Sequence, residues 1–349
     1  MSIEKYLKKE INIHPHMQPQ DIVKLCYQAA YGSEHLIKSK DEAKAYLRNE
    51  CSCLISCDTE LIENISDDIC RISLNAWMNN SLPIGWLLEL FFMSSNENIG
   101  SDSRFKENIA AADKIISNSN LDFTHLEWTQ YLDEYMKKGI HAVHHSDKYR
   151  TTENPAYRII NRKFTYLIPL LIQICTHKKN SLPYIIAIDG RCASGKTTTA
   201  KYLSTVINAD VIHMDDFFLP PSKRTASRLQ ESGGNVDYER FSDEVISSIH
   251  DLNGFQYKKY NCHMNTLNEL QSIGNRPFRI VEGSYSTHPY FGKYADITVF
   301  IDIDPCIQLN RIIKRNGEEM AVIFKNRWIP LEEKYFNAFG TKEKADIIL

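Results

Sequence analysis

The stretch YIIAIDGRCASGKTTTA, residues 184–200, leaves the chain few folds to choose from. An apolar run over 184–188 has the length and composition of a buried strand, and the residues from Lys196 onward continue without a helix breaker. Between them residues 190–197 match G-x-x-x-x-G-K-[ST], with a strand before and a helix after, the context that this motif needs. Glycines let the backbone turn its N–H groups inward. Gly190, Ala193, Ser194 and Gly195 can then cradle phosphate at the positive end of the helix dipole, with Thr198 in the first turn. Lys196 reaches the β and γ phosphates, and the Thr197 hydroxyl takes a magnesium ion. ATP and Mg2+ are therefore the expected cofactors. A chance glycine turn is the bland alternative, and it does not account for motif and context together.

The residues beyond the loop decide its class. A GTP switch needs an [NT]-K-x-D tetrapeptide; the nearest, TKEK from Thr341, lacks the aspartate. VFIDID from Val299 resembles the acidic strand end of a motor ATPase, but that strand is the fourth of five and runs into Pro305. The second strand, VIHMDDFFLP, ends in Asp215 and Asp216, and IVEGSYSTHP ends the third strand in Glu282. In a parallel sheet the carboxyl ends of strands near the loop face the bound phosphate. A carboxylate such as Asp215 there can accept the proton of an attacking hydroxyl, and Asp215 and Glu282 can help Thr197 hold magnesium. LNRIIKRNG puts Arg311, Lys314 and Arg315 on one helix face, where arginines can close over the γ-phosphate. A solvated basic face is the alternative for Lys314.

GRCASGKT, MDDFF, NVDYERF, VEGSYSTHP and RIIKRNG, in this order and spacing, resemble the uridine kinase family of phosphate-loop nucleoside kinases over about residues 183–349. The resemblance implies Asp215 as the base on a sugar hydroxyl, with Lys196, Arg311 and Arg315 as the other catalytic groups. It also implies Glu282 on the magnesium side and Asp237 as a sugar-binding aspartate, with Tyr238, Arg240 and Tyr260 beside it in the acceptor site. One departure concerns the base pocket: the family reads roughly Y-D-F followed by a histidine, and this chain has YNCHMNTL, with Tyr260, Asn261 and Cys262. A second is the density of cations, Lys223, Arg224, Arg228 and Arg240, which fits an acidic acceptor or the phosphates of the nucleotide.

Strand candidates at 184–188, 210–214, 278–282, 297–303 and 345–349 alternate with helix candidates at 196–206, 243–252, 305–314, 318–326 and 331–338. This is the pattern of an α/β P-loop kinase fold, a parallel five-stranded sheet with helices on both faces. The polar, proline-ended THKKNSLP over 176–183 separates a kinase domain, 183–349, from a mostly helical domain, 1–176. Helices are expected there after Gln18 and at 41–50, 68–78, 83–93, 103–117, 125–138 and 156–175. Two stretches of this front half stand out: YGSEHLI with Glu34 and His35, and HAVHHSDKYRTTENPAYRII with His141, His144, His145, Tyr149, Arg150, Tyr157 and Arg158. The second resembles a recurrent bacterial domain of unknown role. These groups suit either an anion or small-ligand pocket, a metal site from His35, His144, His145 and Glu34, or hydrogen bonds that anchor helices.

The net charge of -3 is spread over both halves, so neither has the basic excess that nucleic-acid binding requires. No apolar run approaches a membrane span and the first residues lack the centre of a signal peptide, so the protein is expected in the cytoplasm with reduced thiols. Cys51, Cys53 and Cys57 lack the paired spacing of a structural zinc site, although three thiols can hold a metal. The sequence thus points to an ATP-dependent kinase of a small-molecule acceptor, most like a uridine or nucleoside kinase, and a homo-oligomer is compatible with it. Two alternatives stay open: a kinase of another hydroxylated metabolite such as a sugar, sugar phosphate or vitamin precursor, and an ATP-dependent switch without an acceptor.

Overall fold

The computed structural model describes residues 2–33, 39–52, 54, 59–97, 99–177, 182–261 and 264–349; Glu34, His35, Cys53, Cys57 and Cys262 lie outside them. The chain divides into two compact units, Met1–Ile168 and Pro169–Leu349.

In the first unit, helices Pro19–Tyr31, Asp102–Ile116 and His125–Lys137 pack around Leu25, Cys26, Phe105, Ala112, Trp128 and Tyr135. Each helix begins at a side chain that answers its free N–H groups. Thr124 and Glu127 form a reciprocal capping box, and Ser101 accepts from the Arg104 N–H at 3.3 Å. The unit also holds a small antiparallel sheet of β1 (Ile62–Asn64), β2 (Ile69–Ser73) and β3 (Tyr157–Asn161), in that order. This corrects the helices expected at 68–78 and 156–175, which begin only at Leu74 and Leu167. ICRIS and YRIIN are rich in β-branched residues, and pairing Ile72 with Arg158 and Cys70 with Ile160 buries both segments. Long-range pairing of this kind outweighs local helical spacing.

The second unit is built on a parallel sheet of five strands. They are β4 (Tyr184–Gly190), β5 (Ala209–His213), β8 (Phe278–Glu282), β9 (Ile297–Ile301) and β10 (Ile347–Ile348), ordered β10-β9-β4-β8-β5. A hairpin of β6 (Phe255–Asn261) and β7 (Thr266–Ile273) stands apart from it. Every side chain of β4 is buried. Ile185, Ala187, Ile212, Val281 and Phe300 meet Phe241, Val245, Ile249, Tyr335 and Phe336 in one core. The alternate residues Ile186, Ile188 and Ile280 are fully buried on the other face, against which helix Lys196–Ile207 packs through Ala200 and Leu203. Each such aliphatic side chain contributes roughly 1.5–3 kcal/mol by leaving water, which is why the central strand is rigid enough to hold a loop at its end.

From β4 the chain goes first to one side of the sheet and then, with β9, to the other. The loop after β4 therefore opens at the point where strand order reverses, the usual place for a ligand crevice. The helix expected at 243–252 is another correction. The helix runs Tyr238–Glu244, because the Asp237 carboxylate accepts from the Arg240 N–H at 3.3 Å and starts it early, and only a short turn at Ile246–Ser248 comes after it. The hairpin was not anticipated; within YNCHMNTL, Tyr260 and Asn261 end β6 and Thr266 begins β7.

Candidate active site

The loop after β4 has the geometry of an anion cradle. Gly190, Ala193 and Gly195 adopt positive φ, at 137°, 57° and 111°, which turns successive N–H groups toward one side at the N-terminus of helix Lys196–Ile207. A Cβ at residue 190 would collide with the Ile301 carbonyl of the neighbouring strand, so only glycine fits there. The Lys196 ammonium is buried and donates to the carbonyls of Gly190 at 2.7 Å and Arg191 at 2.8 Å.

Beneath the loop lies Asp189, 1% exposed, which accepts five hydrogen bonds. They come from the N–H groups of Gly190, Tyr285 and Thr287 and the hydroxyls of Thr287 and Tyr335, at 2.7 to 3.1 Å. This carboxylate ties the segment after β8 to the phosphate loop. A second buried acid, Glu332, accepts from the Cys192 N–H at 2.8 Å and from the Ser284 hydroxyl at 2.7 Å, while Glu333 pairs with Arg191 at 2.6 Å. Neither Asp189 nor Glu332 was singled out from sequence; the only signal was an acid directly before the first motif glycine.

Strand register brings the acids expected at the strand ends together. His213 at the end of β5 stands opposite Glu282 at the end of β8. Its Nδ1 lies 2.5 Å from Glu282 Oε1, and the Thr197 hydroxyl donates to both Glu282 oxygens at 3.2 Å. The Glu282 carboxylate raises the His213 imidazole above its ordinary range. A Cβ at Gly283 would press on the Met214 side chain, and this close approach sets Glu282 beside Asp215. The Asp215 side chain meets solvent but is enclosed by protein at longer range. That enclosure, and then the Glu282 charge, lift its carboxyl above the usual range, while Lys196 and His213 pull it back. Asp216 does something else, since it accepts from the Tyr257 hydroxyl at 2.8 Å.

Of the two arginines expected over the γ-phosphate, Arg311 donates to the carbonyls of Ala193 at 3.2 Å and Ser194 at 3.1 Å, which puts it on the loop. Arg315 donates instead to Asn316 and lies over Phe324, so the structure does not bring it to the loop. Thr198 is exposed in the first helical turn.

The expected acceptor residues are engaged with one another. Asp237 is 1% exposed, caps its helix and pairs with Lys223 at 2.9 Å. Arg228 holds Glu239 at 2.6 Å and lies 3.5 Å from the Tyr238 ring centre. Arg240 donates to the carbonyls of Asp216 and Lys258 and pairs with Glu244 at 3.3 Å; Arg224 donates to the Leu219 carbonyl. The four cations that suggested an acidic acceptor are thus tied to groups of the chain itself. Tyr260 is buried, with its hydroxyl on Asn265 in the hairpin.

The chain is 23% identical over 195 residues to Uridine kinase-like protein 3 of Arabidopsis thaliana, a match over 51% of this chain and 41% of that protein. It is 25% identical over 182 residues to a pantothenate kinase of Enterococcus faecalis, over 47% of this chain and 58% of that one. Both relatives are named as kinases. The chain spans about half the length of these relatives. A solved structure described as a possible uridine kinase from Bacillus stearothermophilus matches at 20% identity and a TM-score of 0.42, over 54% of this chain and 99% of that one. No family model matches. Among the described residues no helix is long and apolar enough to cross a membrane, and no group of three or more His, Cys, Asp or Glu side chains is placed to hold a metal ion.

Proposed function

We propose that the second unit is an ATP- and magnesium-dependent kinase that transfers the γ-phosphoryl to a hydroxyl of a small, uncharged acceptor of nucleoside type. The observation that carries this reading is the meeting of Asp215, Glu282, His213 and Thr197 at the carboxyl ends of adjacent strands around a loop with phosphate-cradle geometry. Lys196 exchanges its contacts with the Gly190 and Arg191 carbonyls for phosphate oxygens. Arg311, already on the loop, adds charge over the transferred group, and Asp215 takes the proton of the attacking hydroxyl. The Thr197 hydroxyl and Glu282 carboxylate are hard oxygen donors 3.2 Å apart, a set suited to magnesium shared with phosphate oxygens and water. That ion would neutralise charge on the phosphates. The relative named uridine kinase-like supports a nucleoside, as does the internal pairing of Lys223, Arg228 and Arg240, which leaves little fixed charge for a phosphorylated acceptor.

The test is ADP release across a panel of nucleosides, sugars and pantothenate. Stimulation by a nucleoside supports the reading; stimulation only by another alcohol replaces the acceptor class, and acceptor-independent hydrolysis alone overturns the kinase. Lys196→Ala should lower the stimulated rate by about 10²–10³-fold. A second prediction concerns pH. The rate should rise with pH along a limb set by deprotonation of Asp215, lying above the ordinary carboxylate range. In His213→Gln the limb should move further up, because a cation that holds the Asp215 carboxyl down is gone. An unmoved limb would remove His213 from the electrostatics of the site.

A further inference from the structure

The first unit contains cations that its own structure leaves unanswered. Arg71 on β2 is 6% exposed; its Nη1 donates to Glu10 at 2.6 Å and to Glu63 at 3.3 Å, while Nε and Nη2 find no acceptor. Its guanidinium lies 4.3 Å from the centre of the Tyr157 ring. The Tyr157 hydroxyl meets His145 Nε2 at 2.7 Å, and His145 Nδ1 meets Asp21 at 3.0 Å. Asp21 has nothing left to offer, since it also accepts from Gln18 N, Ser146 N and the Ser146 hydroxyl.

Lys24, one turn along the same helix, therefore has only the Val143 carbonyl at 3.3 Å, and no carboxylate among the described residues pairs with it or with exposed Arg150. Burial, and then Arg71 and Arg150, bring the Lys24 ammonium down to about 8. Lys24 and Tyr157 are both half-exposed, yet enclosure by protein is the main influence on each. The Val143 carbonyl under Lys24, and His145 under Tyr157, place the two side chains against the same short segment, beside Arg71. The Tyr157 hydroxyl is held by His145 and by Gln28 Oε1 at 3.3 Å; clusters that only anchor helices satisfy their donors, whereas this one keeps Arg71 Nε and Nη2 spare beside the unpaired Lys24.

We propose that this cluster of Lys24, Tyr157, Arg150 and His144, backed by Arg71, is a second ligand site that binds a small organic anion through a phosphate or carboxylate group. It is built from residues of the first unit, and the Asp21–His145–Tyr157 chain fixes the phenol that the ligand would meet. Such an anion would supply the charged partner that Lys24 and Arg150 lack among the described residues.

Site-specific protection tests this on the full chain. Acetylation of lysines by an amine-reactive ester, mapped by mass spectrometry, is monitored with and without inorganic phosphate or malonate. Either anion should slow modification of Lys24 by about tenfold when well above its dissociation constant, with exposed Lys8 and Lys44 unaffected. Protection by phosphate alone assigns a phosphate-bearing ligand, and protection by malonate alone a carboxylate. In Arg150→Ala, an exposed change that spares the core, about tenfold more anion should be needed for equal protection. Absence of protection by both anions, or protection undiminished in Arg150→Ala, overturns the site.

Discussion

Asp215→Asn should lower the acceptor-stimulated rate by about 10²–10⁴-fold, the usual contribution of a positioned general base, while KM for ATP changes little. The substitution keeps the shape of the side chain but removes its charge and its capacity to take a proton. In the proposed reading the nucleotide contacts fall to other groups: Lys196 and the N–H groups of the loop, Thr197 with Glu282, and Arg311, which lies on the Ala193 and Ser194 carbonyls. Loss of folding is not a competing explanation. The Asp215 carboxyl is held above its ordinary range by enclosure and by Glu282, so its charge opposes folding at neutral pH, and a neutral amide should leave the thermal midpoint unchanged or raised. Acceptor-independent ATP hydrolysis that survives in Asp215→Asn would sink the assignment of this residue as the base.

Asp189→Asn should act on the fold instead. The carboxylate accepts five hydrogen bonds from buried partners, and an amide can accept at only one of its two positions while presenting N–H groups to the others. Bonds to a charged acceptor contribute about 1.5–3 kcal/mol each, and each buried donor left unsatisfied costs about 1–3 kcal/mol. A loss of at least about 3 kcal/mol is expected, which lowers the thermal midpoint of a unit of this size by roughly 6–12 °C. Nucleotide affinity should fall as well, since the same network tethers Gly190 to the segment after β8. Calorimetry and nucleotide titration on one preparation check both. A midpoint within about 1 °C of the parent chain would show that the loop is held by other contacts.

Much of the candidate site was legible because its signals are local. The glycines and lysine of the phosphate loop, the acids at the ends of β5 and β8, and Arg311 all lie where short motifs and strand candidates put them. His213 was passed over: nothing in VIHMDDFFLP marks the histidine, and its meaning comes from standing opposite Glu282 once β5 and β8 pair. Arg315, four residues from Arg311, shares its helix but turns to Asn316 and Phe324, a choice that helical spacing does not encode. The expected contacts of Asp237 and the cations around it are spent on capping and ion pairs within their own segment, so composition overstated the charge offered to an acceptor.

The strands of the first unit and the hairpin of the second were missed for a related reason. A segment such as YRIIN has helical neighbours in sequence, and becomes a strand only because ICRIS, more than 80 residues earlier, is there to pair with it.

Local sequence by itself determined the strand–loop–helix that builds the phosphate cradle, because steric limits on φ, hydrophobic periodicity and the helix dipole act over a few residues. Tertiary structure alone decided which acids and cations face that cradle, which are consumed in capping and pairing, and which remain unanswered in the cluster at Lys24. Those outcomes depend on burial and on partners far away in the chain. The free energy of a charge is set by the groups that surround it after folding.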